Sequence, residues 1–251
     1  MNDVRMWWFH VNQFRRNSYF TQLLFTSTLS ILIVQALAAR NPNSAAASDL
    51  NWLRAGMLGA WTMCAVAVGL LNYQRHLGTL VHLVRTPYLA VRTLFPAVGA
   101  ASVFGLAAFP IAALGSRALG MPVALGNIGS LLIAALLFWL ACVSVSTAVG
   151  MFFVLSPDAF AYESLIGVPI VLVSGVFGTA SWIPNSVISI ARILPTRAAV
   201  ELLTNVATGG PLSITTIIEV LLVSLLWLAL ATLIANKVTK RATVMGTLEV
   251  I

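Results

Sequence analysis

Charge is what this sequence has least of. Only 8% of its 251 residues are Asp, Glu, Lys or Arg, where a soluble domain carries about 25%. Acidic residues are the scarcer sign, 7 against 14 basic ones. That shortage excludes an ordinary soluble enzyme, and it excludes a disordered chain, which stays unfolded by being polar. The net charge of +7 is spread too thinly to mark a nucleic-acid-binding module, so no nucleic-acid partner is expected. The two cysteines, Cys64 and Cys142, both lie in apolar runs and make no disulfide framework. His10, His76 and His82 are the only histidines. His76 and His82 are six apart, off a common helical face, with no carboxylate cluster nearby, so no metal-ligand spacing exists. A Gly-x-x-x-x-Gly-Lys-Ser/Thr phosphate loop is also missing, so the chain cannot cradle ATP by that route. Serines inside apolar runs, such as Ser144 and Ser146, have no histidine and carboxylate near them in sequence to build a hydrolytic site.

What fills the space is apolar. Hydrophobic residues make up 59% of the chain and the mean hydropathy is +0.95, the composition of an integral membrane protein. A hydrocarbon core about 30 Å thick takes roughly 20 residues of helix to cross. Six stretches of that kind are predicted, at 19–39, 52–71, 89–114, 128–155, 162–180 and 214–236. Pro96 and Pro110 fall in the third, and Pro169 in the fifth. They are continuously apolar rather than alternating, which selects helices over barrel strands. The fold class is therefore all-α, a single transmembrane domain over residues 1–251. The N-terminal segment is not expected to be a signal peptide, because Trp7, Trp8 and Phe9 sit among Arg5, Arg15 and Arg16 and no cleavage site follows the first span.

Six spans put both termini on one side. Arg5, Arg15, Arg16, Arg75, Arg85, Arg92, Lys237, Lys240 and Arg241 fall on that side, and Arg40, Arg54, Arg117, Arg192 and Arg197 on the other. The excess of cations predicts cytoplasmic termini. The loop around 156–163 departs from this pattern, offering only Asp158 and Glu163.

Three segments are too polar to be spans. Residues 1–17 mix aromatics with arginine and suit a helix lying in the membrane interface. Residues 72–87 place Leu77, Leu80, Leu83 and Val84 on one helical face, with Arg75, His76, His82 and Arg85 around it, and Pro87 ends the pattern. Such a helix reads equally as a knob for a partner's groove or as a connector on the lipid surface. Residues 181–211 contain Pro184 and Pro195, each opening a short helical pattern, and Gly209-Gly210-Pro211, which stops the second. This predicts two half-apolar helices at the outer interface, either a cap or a gate. Ion coupling would need ionisable groups inside the membrane. Arg92, Glu163 and Glu219 are the candidates, and all lie close to span ends. A selectivity filter is not visible either.

Two local patterns carry a family resemblance. One is Arg75-His76-Leu77-Gly78-Thr79-Leu80 followed by Arg85-Thr86-Pro87. The other is Ser174-Gly175-Val176-Phe177 with Trp182-Ile183-Pro184, then Ile193-Leu194-Pro195 and Glu201-Leu202-Leu203. With the span pattern, they resemble the permease subunits of type-2 ABC exporters, and among these the bacterial daunorubicin-exporter-like group. Gln74 and Val81 stand where that family usually has acidic residues, and its Pro-x-Trp-Leu order is altered to Trp182-Ile183-Pro184. The resemblance implies a permease in the cell membrane that moves amphiphilic drugs, antibiotics, lipids or peptides outward by alternating access. It implies a second permease chain, identical or homologous, and separate ABC ATPase subunits that carry the ATP and Mg. No cofactor is implied in this chain, which would not itself be an enzyme. Residues 72–87 would be the coupling helix, with Arg75, His76, Leu77, Gly78, Thr79, Leu80, Leu83 and Arg85 seated in the ATPase. Residues 181–211 would be an outer re-entrant hairpin marked by Trp182, Pro184, Pro195 and Glu201. Thr26, Ser30 and Gln35 on span one and Ser174 on span five are the polar positions that could line a pathway, although Ser and Thr in spans also pack helices together. The rival readings are a self-sufficient secondary transporter, which would want buried ionisable residues and an internal repeat, and a non-transporting membrane anchor or assembly factor.

Overall fold

The computed structural model describes residues 3–40, 49–76, 98–153, 159–177 and 184–245. Among them all regular structure is helical. In chain order the helices are α1 (Asp3–Arg15), α2 (Ser18–Ala39), α3 (Asn51–His76), α4 (Val98–Ala118, with a 3₁₀ turn at Phe104–Ala107), α5 (Ile128–Phe153), α6 (Ala159–Ser174), α7 (Asn185–Ala191), α8 (Pro195–Ala207) and α9 (Ile214–Met245). Four of them, α2, α4, α5 and α9, are long and apolar enough to cross a membrane. The fifth predicted span is represented by α6, whose described apolar stretch Leu165–Ser174 is shorter.

Helix starts follow local chemistry. Asn17 caps α2 by accepting the Tyr19 N–H at 3.0 Å. Asn127 does the same for α5 through the Ser130 N–H at 3.1 Å, and Ser213 for α9 through the Thr216 N–H at 3.3 Å. Each such cap satisfies a donor the helix cannot, worth about 1 kcal/mol. Pro195 opens α8 at a position where its missing N–H costs nothing. Two helices outrun their predicted spans. Asn72–His76, read as the start of a separate connector, continue α3, and α9 carries on through Lys237 to Met245. Polar residues such as Asn72, Gln74 and Lys240 end an apolar run without breaking a helix, because they still favour helical backbone more than glycine or proline do.

The bundle has two halves. In one, α2 and α4 pack on α3; in the other, α8 and α9 pack on α5, and α3 against α5 joins them. Trp52, Leu53, Met57 and Met63 from α3 and Phe138, Cys142 and Val143 from α5 are buried at this centre. Lipid tails are as apolar as leucine, so the helices are held by close packing rather than by escape from water. Gly59 shows how close. A methyl group there would run into Thr28 Oγ1 of α2 and lie 2.8 Å from Ala108 Cβ of α4, so only hydrogen fits where three helices meet. Trp52 Nε1 donates to Ala124 O at 3.1 Å and Ala124 N–H to Asp49 O at 3.3 Å, tying the start of α3 to the segment that enters α5.

Gly59→Ala should lower the thermal midpoint of the detergent-purified chain, overpacking costing about 1–3 kcal/mol. Gly69→Ala, ten residues along the same helix with nothing within 4 Å of an added methyl, should hold or raise it, since alanine is the better helix former. Equal midpoints for the two variants would mean that α2, α3 and α4 do not meet at Gly59.

Candidate functional site

Polar side chains in the two halves of the bundle behave differently. On α2, Ser18, Gln22, Thr26 and Ser30 recur every four residues and all are exposed, forming one stripe. Thr26 Oγ1 donates to Gln22 O at 2.8 Å and Ser30 Oγ to Thr26 O at 2.6 Å, so both hydroxyl protons are spent on the helix itself. Gln35 lies off this stripe, half-buried, with Oε1 buried and unpartnered among the described residues. Ser174 is buried in the other half, its Oγ donating to Val171 O at 2.6 Å. Of the four polar positions singled out in the sequence, the structure thus aligns Thr26 with Ser30 and separates Gln35 and Ser174 from them. Ser18 and Gln22 belong with the pair, and their i, i+4 spacing was the available signal. For contrast, α9 exposes an apolar face from Ile214 to Leu233, with Ile214, Ile218, Leu222, Leu225, Leu226 and Leu233 all exposed.

Of the predicted outer helix pair, α8 packs against protein on most of its surface. Ten of the thirteen residues of α8 are buried, packed among α5, α6 and α9. Its C-terminal end meets the start of α5, where a methyl at Gly126 would strike Val206 O. Its N-terminal end lies deep. Trp227 Nε1, near the middle of the apolar window Ile214–Lys237 of α9, donates to Ile193 O at 2.8 Å just before Pro195. At 1.5 Å per residue, α8 therefore runs about 18 Å from there back to the end of the bundle. The half-apolar sequence is explained by this: alanines, Thr196 and Val200 face protein, and only a narrow face is exposed. Pro184 precedes α7 as its N-cap and is exposed, while Pro195 is buried.

Burial of α8 takes Arg197 inside, where the sequence reading counted it as a loop cation. Arg197 is 9% exposed and its Nε donates to Glu201 Oε1 at 2.8 Å, one turn along the same helix. The guanidinium lies against Gly175, the left-handed residue (φ +81) that ends α6. A methyl at Gly175 would fall 2.5 Å from Nη1. Six residues before Gly175, Pro169 lies inside α6 and removes one backbone donor from it, so the turn that Arg197 meets ends a helix whose ladder is one bond short.

At the other end of the bundle, α1 rests its Trp7 near Gly99 of α4 and Phe14 against Phe20 of α2, ring centroids 4.9 Å apart. Trp8 and Phe9 remain exposed beside Arg5, Arg15 and Arg16. His10 stacks on Phe14 and meets Phe9 edge-on. Its burial pushes the imidazole pKa below the ordinary histidine value, partly opposed by a side-chain hydrogen bond with Gln13. Of the predicted coupling segment, Arg75 and His76 form the end of α3, while Leu77, Gly78, Thr79, Leu80, Leu83 and Arg85 lie outside the described residues, as does Trp182.

A helical bundle with this hydropathy and these spans is a multi-pass membrane protein. Residues 4–208 match the model of the ABC-2 type transporter family, well over half of the chain, and the chain belongs to that family. Its members are the membrane component of ABC transporters, and the match ends at the C-cap of α8. Neither the curated proteins nor the solved structures give a match.

Two outcomes test this geometry. Gly175→Ala should destabilise the chain by about 1–3 kcal/mol, because alanine is strained at positive φ and its methyl displaces the guanidinium; differential scanning of the purified protein reads it, and an unchanged midpoint would argue against the contact. For His10, the docked helix favours neutral imidazole, so docking of α1 is full above about pH 6.5 and weakens as pH falls below it. Tryptophan emission titrated from pH 8 to pH 5 should show that transition in the native chain and lose it in His10→Gln.

Proposed function

We propose that the chain is the permease subunit of an ATP-driven exporter, moving amphiphilic drugs, antibiotics, lipids or peptides outward across the cell membrane. Membership of the ABC-2 type transporter family carries this reading. The bundle holds no phosphate loop of its own, so the work comes from separate ATPase subunits that bind ATP and Mg. In this reading residues 72–87 seat in the ATPase, residues 1–17 lie against the inner leaflet, both termini are cytoplasmic and residues 181–211 form a re-entrant hairpin on the outer side. Removing Arg197 from the outer-loop cations leaves the bias toward cytoplasmic termini stronger.

The contrast between α2 and α9 supports a pathway or a second permease chain on the α2 side. Lipid asks for an apolar face such as that of α9, whereas the stripe Ser18, Gln22, Thr26 and Ser30 presents oxygen atoms and amide groups. Two permease chains facing each other across such stripes would enclose a corridor with polar spots and mostly apolar walls, which suits amphiphiles. ATP binding would then bias the pair between inward- and outward-open states, the bias arising from differential contacts in the two states.

Leu80→Asp puts a charge on the apolar face proposed to enter the ATPase groove. With a co-expressed ABC ATPase in proteoliposomes, ATP-driven outward movement of a fluorescent amphiphile should fall by about tenfold or more, the loss of at least 1.4 kcal/mol of coupling, while the chain stays membrane-inserted. Undiminished export would remove residues 72–87 from the coupling role.

A further inference from the structure

Arg197 is a buried cation with most of its hydrogen-bonding capacity unused. A guanidinium has five N–H donors. Only Nε is engaged, and among the described residues neither Nη1 nor Nη2 meets an acceptor. Two carbonyls near the end of α6 already have donors: Ser174 Oγ serves Val171 O at 2.6 Å, and the Gly175 N–H serves Leu172 O at 3.3 Å. The residue as a whole is 9% exposed, and neither Nη is among the fully buried atoms that lack a partner, so this charged edge still opens to a surface from which an acceptor can reach it.

One turn away the chemistry inverts. The Glu201 side chain is 48% exposed, and only its Oε1 is engaged. On the same exposed face, Thr204 Oγ1 and Thr208 Oγ1 give their protons to carbonyls of α8, and Asn205 Nδ2 donates to Pro211 O at 2.9 Å. What this face offers outward is therefore acceptors, with a carboxylate among them. A donor edge and an acceptor edge stand side by side, joined by the 2.8 Å Nε–Oε1 contact.

The pair is neutral as a whole, and that selects the ligand. A lone anion or a lone cation bound here would leave one unbalanced charge inside the bundle, which low-dielectric surroundings penalise. A ligand that carries both signs leaves none. Leading up to Gly175, α6 exposes Leu165, Val168 and Leu172, an apolar row on which a hydrocarbon chain can lie. We propose that Arg197 and Glu201 form a head-group site for a zwitterionic amphiphile, a phosphate or carboxylate on the Nη edge of Arg197 and an amine on the free oxygen of Glu201. That this ligand is cargo rests on the exporter reading; its binding does not.

The test is retention of four single-chain probes by the full-length protein in native mass spectrometry: lysophosphatidylethanolamine, N-dodecylglycine, dodecyl phosphate and dodecylamine. The two zwitterions should be held about tenfold more tightly than the two probes that carry charge of one sign only, a difference of 1.4 kcal/mol. Retention of lysophosphatidylethanolamine alone identifies a lipid head group, and retention of both zwitterions a site open to any amine–acid pair. Glu201→Gln should shift preference toward dodecyl phosphate and Arg197→Met toward dodecylamine, opposite directions that a purely structural ion pair would not produce. If Arg197→Met does not fold, the wild-type ranking and Glu201→Gln decide the matter. Equal retention of all four probes, or shifts of both variants in one direction, would overturn the site. Such a result would leave ATP-driven export untouched, and a failure of export would leave the probe ranking standing.

Discussion

Hydrocarbon offers no partner for a hydrogen bond, and nearly every feature of this chain follows from that. Backbone donors and acceptors must be satisfied within the segment, which makes the runs helical. Many side-chain hydroxyls obey the same rule at smaller scale, while those of Thr28, Ser116, Ser146, Thr196 and Ser224 are buried without a partner among the described residues. Thr26, Ser30, Thr62, Ser102, Ser144, Thr147 and Ser174 all return their protons to a carbonyl three or four residues back. Because those protons are spent, what such residues present to a neighbour is oxygen lone pairs. A polar stripe on a membrane helix is for that reason an acceptor stripe first.

With burial from water removed as a driving force between helices, fit has to replace it. The fit is concentrated on α3. Gly56 meets Phe109 of α4, Gly59 meets α2 and α4 together, and Ala60 of α3 lies under Gly105. Cys64 and Met63 are buried in the same core. α3 is the helix that touches both halves of the bundle, and close contact leaves it little room to shift alone.

Much of this was legible in the sequence. Long apolar runs located the helices, Pro195 located the start of α8, and Gly209-Gly210-Pro211 located its end. The depth of α8 was not legible. A half-apolar helix with small residues has the composition of an interface, and only the contacts with α5, α6 and α9 reveal that ten of its thirteen residues are buried. The Arg197–Glu201 spacing was visible as an i, i+4 pair, yet nothing in the sequence says that the pair is buried rather than solvated. The stripe on α2 was half read: Thr26 and Ser30 drew notice as polar residues in a span, while Ser18 and Gln22 were missed because they fall at the start of the span, where polar residues are ordinary. The end of α3 was misplaced because hydropathy marks where a helix leaves lipid, not where it stops.

That last difference bears on how force could travel. Asn72–His76 are helical and continuous with α3, so the predicted coupling segment follows directly from the helix on which the two halves of the bundle meet. Under the exporter reading, a push delivered at Arg75 and His76 enters the core along that helix. Gly59 passes it to α2 and α4, and contact with α5 passes it to the half that holds α8. The α6 end is different, since Pro169 and Gly175 bracket a short terminal segment held by packing and by Arg197 rather than by an unbroken ladder. Under the same reading, a helix packed on several neighbours would pass on a small displacement and a helix one hydrogen bond short at Pro169 would bend to it, because a stiff element transmits motion and a softer one yields.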